Sequence, residues 1–210
     1  RKPEAASALR EALDRDAGDL PAYEQLAGLL VELDRPDEGA ALALKALERF
    51  PQSATLWRAL GIARERAGRH QEAQQAFLRL SGLLPNQAEP LALIGNSQIE
   101  AGAYPAAITT LRRARELAPR DARIAFLLGL ASGYARQTEA AGDYLRATVD
   151  LDPALCAAWL QLARNESERG NDRPALAYAP SATLLTRLDA AAANPATQRP
   201  AMKPATSATR

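Results

Sequence analysis

The chain has 210 residues, 47% of them hydrophobic but only 5% aromatic, and 26 basic against 25 acidic side chains leave a net charge of +1. That balance supplies no global attraction to nucleic acid or an anionic bilayer, and no apolar run approaches the roughly 18–20 residues of a membrane-spanning helix. One cysteine, Cys156, and one histidine, His70, exclude an internal disulfide and most metal-ligand sets, so no cofactor is expected.

The opening "RKPEAASALREAL" shows neither an initiator Met nor the apolar core of a signal peptide, the pattern of an excised fragment or a processed chain. A single cysteine slightly favours a reducing compartment such as the cytoplasm, although an exported protein can also do without disulfides. Residues 3–19 read as one helix. From residue 20 a 34-residue ruler takes over. Pro51, Pro85, Pro119 and Pro153 stand one period apart, as do Leu26, Leu60, Ile94, Leu128 and Leu162. Small residues follow the second series directly: Ala27, Gly61, Gly95, Gly129 and Ala163. Gly39, Ala73, Ala107, Ala141 and Ala175 form another small series, with Ala43, Phe77, Leu111, Leu145 and Ala179 four positions on. Each proline ends a helix at the residue before it. The Leu-small pair marks the inner face of a first helix, and the small-then-apolar pair one stripe of a second. Between the two lie breakers such as "LDRPDEGA" and "AGRHQEA", so each unit is helix, turn, helix, turn. The fold class is all-α.

Past residue 173 the pattern decays. Pro180 falls in the middle of what would be the fifth second helix, where an interior proline costs about 3 kcal/mol. Residues 181–193 read as a short capping helix carrying Leu184, Leu185 and Leu188. "PATQRPAMKPATSATR" has almost nothing to bury and reads as linker.

Trp57, Leu60, Gly61, Ala73, Phe77 and Pro85 fall on the signature positions of the tetratricopeptide repeat (TPR) family, which the chain resembles over roughly residues 3–180. The resemblance implies an α-solenoid of helix-turn-helix repeats stacked into a right-handed superhelix. Its frame is a partial repeat at 3–19 and repeats at 20–53, 54–87, 88–121 and 122–155. A degenerate fifth repeat with a capping helix fills 156–193, and 194–210 form a tail. One phase departs from the family: Leu30, Arg64, Gln98, Ser132 and Glu166 stand where an aromatic is usual.

Fragments that look like chemistry dissolve once the phase is applied. Asp150-x-Asp152 has the spacing of a two-carboxylate metal site, yet Asp14-x-Asp16 repeats it four periods earlier, so the pair reads as a feature of repeat ends. Asn165-Glu166-Ser167 is a glycosylation pattern inside a predicted helix, and Cys156 opens a helix with no base beside it. "RERAGRH", residues 64–70, gathers three arginines and the only histidine. Its phase makes it a helix end, with Gly68 as the stop, Arg69 and His70 in the turn, and Arg66 alone facing the groove. No nucleophile elbow, P-loop or zinc-protease motif occurs.

The resemblance further implies that peptides lie along a concave face built from the first helices. It places Arg58, Ile62, Arg66, Asn96, Phe126, Leu130, Tyr134 and Arg164 there as candidate peptide-binding residues. The apolar members would supply affinity, and the arginines would fix register against acidic side chains. Phe126, Leu130 and Tyr134, spaced i, i+4, i+8, read either as an exposed apolar stripe or as packing for the next repeat. The family's carboxylate clamp is incomplete, because Ile62 and Leu93 replace its asparagines. The expectation is a non-catalytic scaffold for a protein or peptide partner, with no nucleic acid and no membrane insertion. Two other readings stay open: the N-terminal recruiting module of a larger bacterial enzyme (a TPR-containing sulfotransferase, glycosyltransferase or hydroxylase), and self-association into a homo-oligomer.

Overall fold

The computed structural model describes residues 1–170, and all its regular structure there is helical. The expectations for residues 171–210, including the capping helix and the tail, lie outside the described residues. A lone helix α1 (Lys2–Arg15) precedes four pairs: α2 (Leu20–Glu32) with α3 (Pro36–Arg49), α4 (Ala54–Arg66) with α5 (His70–Leu83), α6 (Ala88–Glu100) with α7 (Tyr104–Leu117), and α8 (Ala122–Tyr134) with α9 (Thr138–Leu151). Helix α10 (Cys156–Glu168) begins a fifth pair.

Local chemistry sets the boundaries. Asp19, Ser53 and Asp121 cap α2, α4 and α8 by accepting from the backbone N–H groups of Ala22, Leu56 and Arg123 at 2.9–3.1 Å. Phe50, Leu84, Ala118 and Asp152 leave the helical region because a proline follows each of them. Trp57 and Trp159 then donate their indole N–H to the carbonyls of Pro51 and Pro153, at 2.8 and 2.9 Å, tying a first helix to the turn before it. The recurrent Asp-x-Asp also acts locally. Asp16 and Asp152 accept from the backbone N–H groups of Gly18 and Ala154, at 2.7 and 3.1 Å, in equivalent turns.

First helices end in a left-handed residue at one fixed phase: Asp34 (φ 60°), Gly68 (73°), Gly102 (76°), Arg136 (61°) and Gly170 (75°). At Gly68 its N–H reaches Glu65 O at 2.9 Å and the Arg69 N–H reaches Arg64 O at 2.8 Å, the paired bonds of a Schellman cap. "RERAGRH" is therefore a helix end, a cap and a helix start. His70 is the first residue of α5 rather than part of the turn, and its Nδ1 stands 2.7 Å from Glu65 Oε1 on α4. Glycine adopts positive φ freely, whereas an arginine there is strained by about 1–2 kcal/mol. Arg136→Gly should therefore stabilise the chain by about 1 kcal/mol and raise the melting temperature by roughly 2–4 °C. Thermal unfolding of the two proteins side by side measures this, and Gly68→Ala should move the other way.

The predicted core is found at its phases. Leu26, Leu60, Ile94, Leu128 and Leu162 are all buried. Beside them, glycine and bulk are matched within each repeat. A Cβ on Gly61 would overlap the Phe77 ring, one on Gly95 would overlap Leu111, and one on Gly129 would sit 2.8 Å from Leu145. In the first pair both positions are alanine, Ala27 and Ala43, buried in one cluster. Helix α1 shows the same logic by default. Ala6 is buried and Leu13 packs on the α2–α3 cluster, whereas Ala5, in phase with Gly39, is exposed. Residues of that phase face the first helix of their own pair, and among the described residues no such helix stands beside α1.

Candidate functional site

Among the described residues first helices touch one another, α2 with α4, α6 with α8 and α8 with α10, while no two second helices pack comparably. The first helices therefore form the inner, concave wall and the second helices the outer one.

Along that wall Arg58 lies on α4 with its Nε 3.4 Å from Glu89 of α6, which ties neighbouring repeats together. Ile62 is half-buried between the clusters of the first two complete repeats. Arg66 is exposed and Asn96 half-buried. Arg123, further along, pairs with Asp121 at 2.9 Å. The Arg123 side chain holds the Asp121 carboxyl below its ordinary range, and the backbone N–H groups of Arg123 and Ile124 help. A depressed carboxylate of this kind adds stability above its unfolded pKa, which is lost as pH falls through its folded value.

The apolar stripe on α8 divides. Phe126 packs on the cluster of Leu145, Val149, Ala158 and Leu162 and so joins repeat to repeat. Leu130, which also packs on the cluster around Leu128, and Tyr134 line a cavity of about 180 Å³ between α8 and α10, floored by Ala141 and Leu145 of α9. Tyr134 is 52% exposed and its ring lies 5.1 Å from that of Tyr104. Arg164 lines the opposite wall, with its Nε 3.4 Å from Glu168. Leu160, one turn earlier on α10, is 53% exposed. Of the eight residues singled out by phase, the structure thus brings Leu130, Tyr134 and Arg164 together. Arg58, Ile62, Arg66 and Asn96 lie toward the other end, on α4 and α6.

The cavity also includes Gly133, Arg136 and Gln161, which phase reading did not select, and Glu168, which shares the phase of Arg66 and Tyr134. Gly133 carries a signal visible only in three dimensions. Gly61, Gly95 and Gly129 are required by internal packing, but a Cβ on Gly133 would meet only Ala141 at 3.9 Å, and one on Gly28 of α2 would meet nothing within 4 Å. Glycine inside a helix costs about 0.5–1 kcal/mol relative to alanine. At two places on the inner wall that cost is carried without any internal need.

These stacked helix pairs define an α-solenoid with a continuous inner surface. The sequence matches the tetratricopeptide repeat over residues 24–88 and 93–155, and the chain belongs to that family. Similar solved structures include residues 41 to the end of MamA from Desulfovibrio magneticus RS-1, which is 22% identical with a TM-score of 0.69, covering 80% of this chain and 94% of that one. YrrB, described as a TPR protein with an unusual peptide-binding site, is 20% identical with a TM-score of 0.63, covering 88% of this chain and 99% of its own. The Cut9–Hcn1 assembly of APC/C gives a TM-score of 0.74 at 16% identity, covering 91% of this chain and 38% of that one. No curated protein matches the sequence significantly.

Proposed function

We propose that the chain is a non-catalytic protein–protein interaction scaffold that receives an extended or helical peptide segment on its concave wall. Arg58, Ile62, Arg66, Asn96, Phe126, Leu130, Tyr134 and Arg164 contribute to that wall. The observation that carries the reading is the cavity between α8 and α10, where an apolar floor meets Leu130 and Tyr134 on one side and Arg164 on the other. Such a site holds an apolar side chain of the ligand, while the arginine sets its register. The open glycines agree with this, because they let a ligand backbone come close to α2 and α8.

The test is a photo-crosslinking residue at position 134 of the otherwise intact chain, compared with one on the outer wall. Position 134 should capture a defined partner segment, and Tyr134→Ala with Arg164→Glu should cut its affinity at least tenfold while leaving helicity unchanged. Full affinity in the double variant would remove the assignment.

A further inference from the structure

The outer wall carries a second surface. Lys45, Arg79 and Arg113 occupy one phase, 34 residues apart, on the successive second helices α3, α5 and α7. All three are exposed, and none forms an ion pair among the described residues. Their neighbours Arg112 and Arg115 are engaged differently, reaching Tyr144 of α9 through a 3.4 Å hydrogen bond and a 5.2 Å cation–π contact. Beside the unpaired bases stand Leu44 and Leu78, again at one phase, 43% and 60% exposed. The row one turn on is Glu48 on α3 and Glu116 on α7, but on α5 it is Gly82. A Cβ on Gly82 would meet nothing within 4 Å, so nothing inside the chain calls for glycine there. The middle of the outer wall thus combines an exposed leucine, an arginine without a counter-ion and a gap in the acidic row.

We propose that this face of α3, α5 and α7 docks an acidic amphipathic helix of a partner protein, separately from the concave groove. Leu44 and Leu78 take its apolar stripe, and Lys45, Arg79 and Arg113 take carboxylates beside it. Gly82 is the hollow into which the incoming helix settles, since a small residue lets two backbones approach. The partner is a helix and not a strand because the wall consists of helix sides whose backbone groups are already bonded. It offers an extended chain nothing for its own N–H and C=O groups.

The probe is a synthetic helical peptide with leucines on one face and glutamates flanking it, titrated into the full chain at low salt. A control peptide has lysine at every glutamate. The acidic peptide should bind and weaken steeply with added salt. Arg79→Glu with Arg113→Glu should reduce its affinity at least tenfold, and Leu78→Ala several-fold, with unchanged circular dichroism. Tyr134→Ala with Arg164→Glu, the groove variant, should leave this binding untouched, so the two surfaces fail independently. Equal binding of the lysine control, no loss in the Arg79/Arg113 variant, or binding only to vesicles of anionic phospholipid overturns the proposal, the last by assigning the face to a membrane.

Discussion

Gly61→Ala should destabilise the solenoid by about 3 kcal/mol, although alanine is the better helix former by about 1 kcal/mol. The sign is decided by space. A methyl group at residue 61 would enter the Phe77 ring, and Phe77 is fully buried with no room to turn aside. Phe77→Ala alone should cost about 3–5 kcal/mol by leaving a cavity. Combined, the two changes recreate the arrangement of Ala27 and Ala43, which the first pair already buries in one cluster. The double variant should therefore be no less stable than Phe77→Ala, a coupling of about 3 kcal/mol between two residues in contact. Denaturation midpoints of the four proteins, followed by far-UV circular dichroism, complete the cycle. Simple addition of the two single losses would show that the pair does not interlock as described.

That pairing shows how much the sequence discloses. Both series, Gly61 with its equivalents and Phe77 with its equivalents, stand out by period alone, and so do helix order, helix length and the proline turns. Period averages over repeats and is blind to what makes one repeat differ from another. Asp34 and Arg136 share the left-handed phase with three glycines, and although aspartate tolerates positive φ better than most residues, an arginine gives no sign of it. Gly28, Gly82 and Gly133 look like any other glycine until the space around them is known. The candidate groove was legible as a set of phases. Its division into Phe126, spent on packing, and Leu130 with Tyr134, facing a cavity, was not, because it depends on how α10 sits against α8.

The same limit governs the phase where the family usually places an aromatic, and there the second large effect is expected. In the first complete repeat Leu30 fills that phase, 2% exposed. In the last, Glu166 fills it at 4%. A carboxylate so deeply placed needs partners, and Arg146 supplies one from α9 at 2.8 Å, with Arg169 at 3.5 Å. Arg146 is itself fixed by Asp143 at 2.7 Å, and that hydrogen bond raises its pKa further. Arg146→Ala removes the shorter of the two arginine contacts to this buried charge. Losing a partner outright costs about 3–5 kcal/mol, so with Arg169 still present the loss should be about 2–3 kcal/mol. Glu166→Leu removes the charge together with its need for a partner, and it places at this phase the residue the first repeat already uses. It should cost less than Arg146→Ala, and adding it to Arg146→Ala should restore part of the lost stability. Urea denaturation of the three variants measures the order. If Glu166→Leu proves the more damaging single change, the carboxylate contributes more to the α9–α10 junction than the arginine that reaches it.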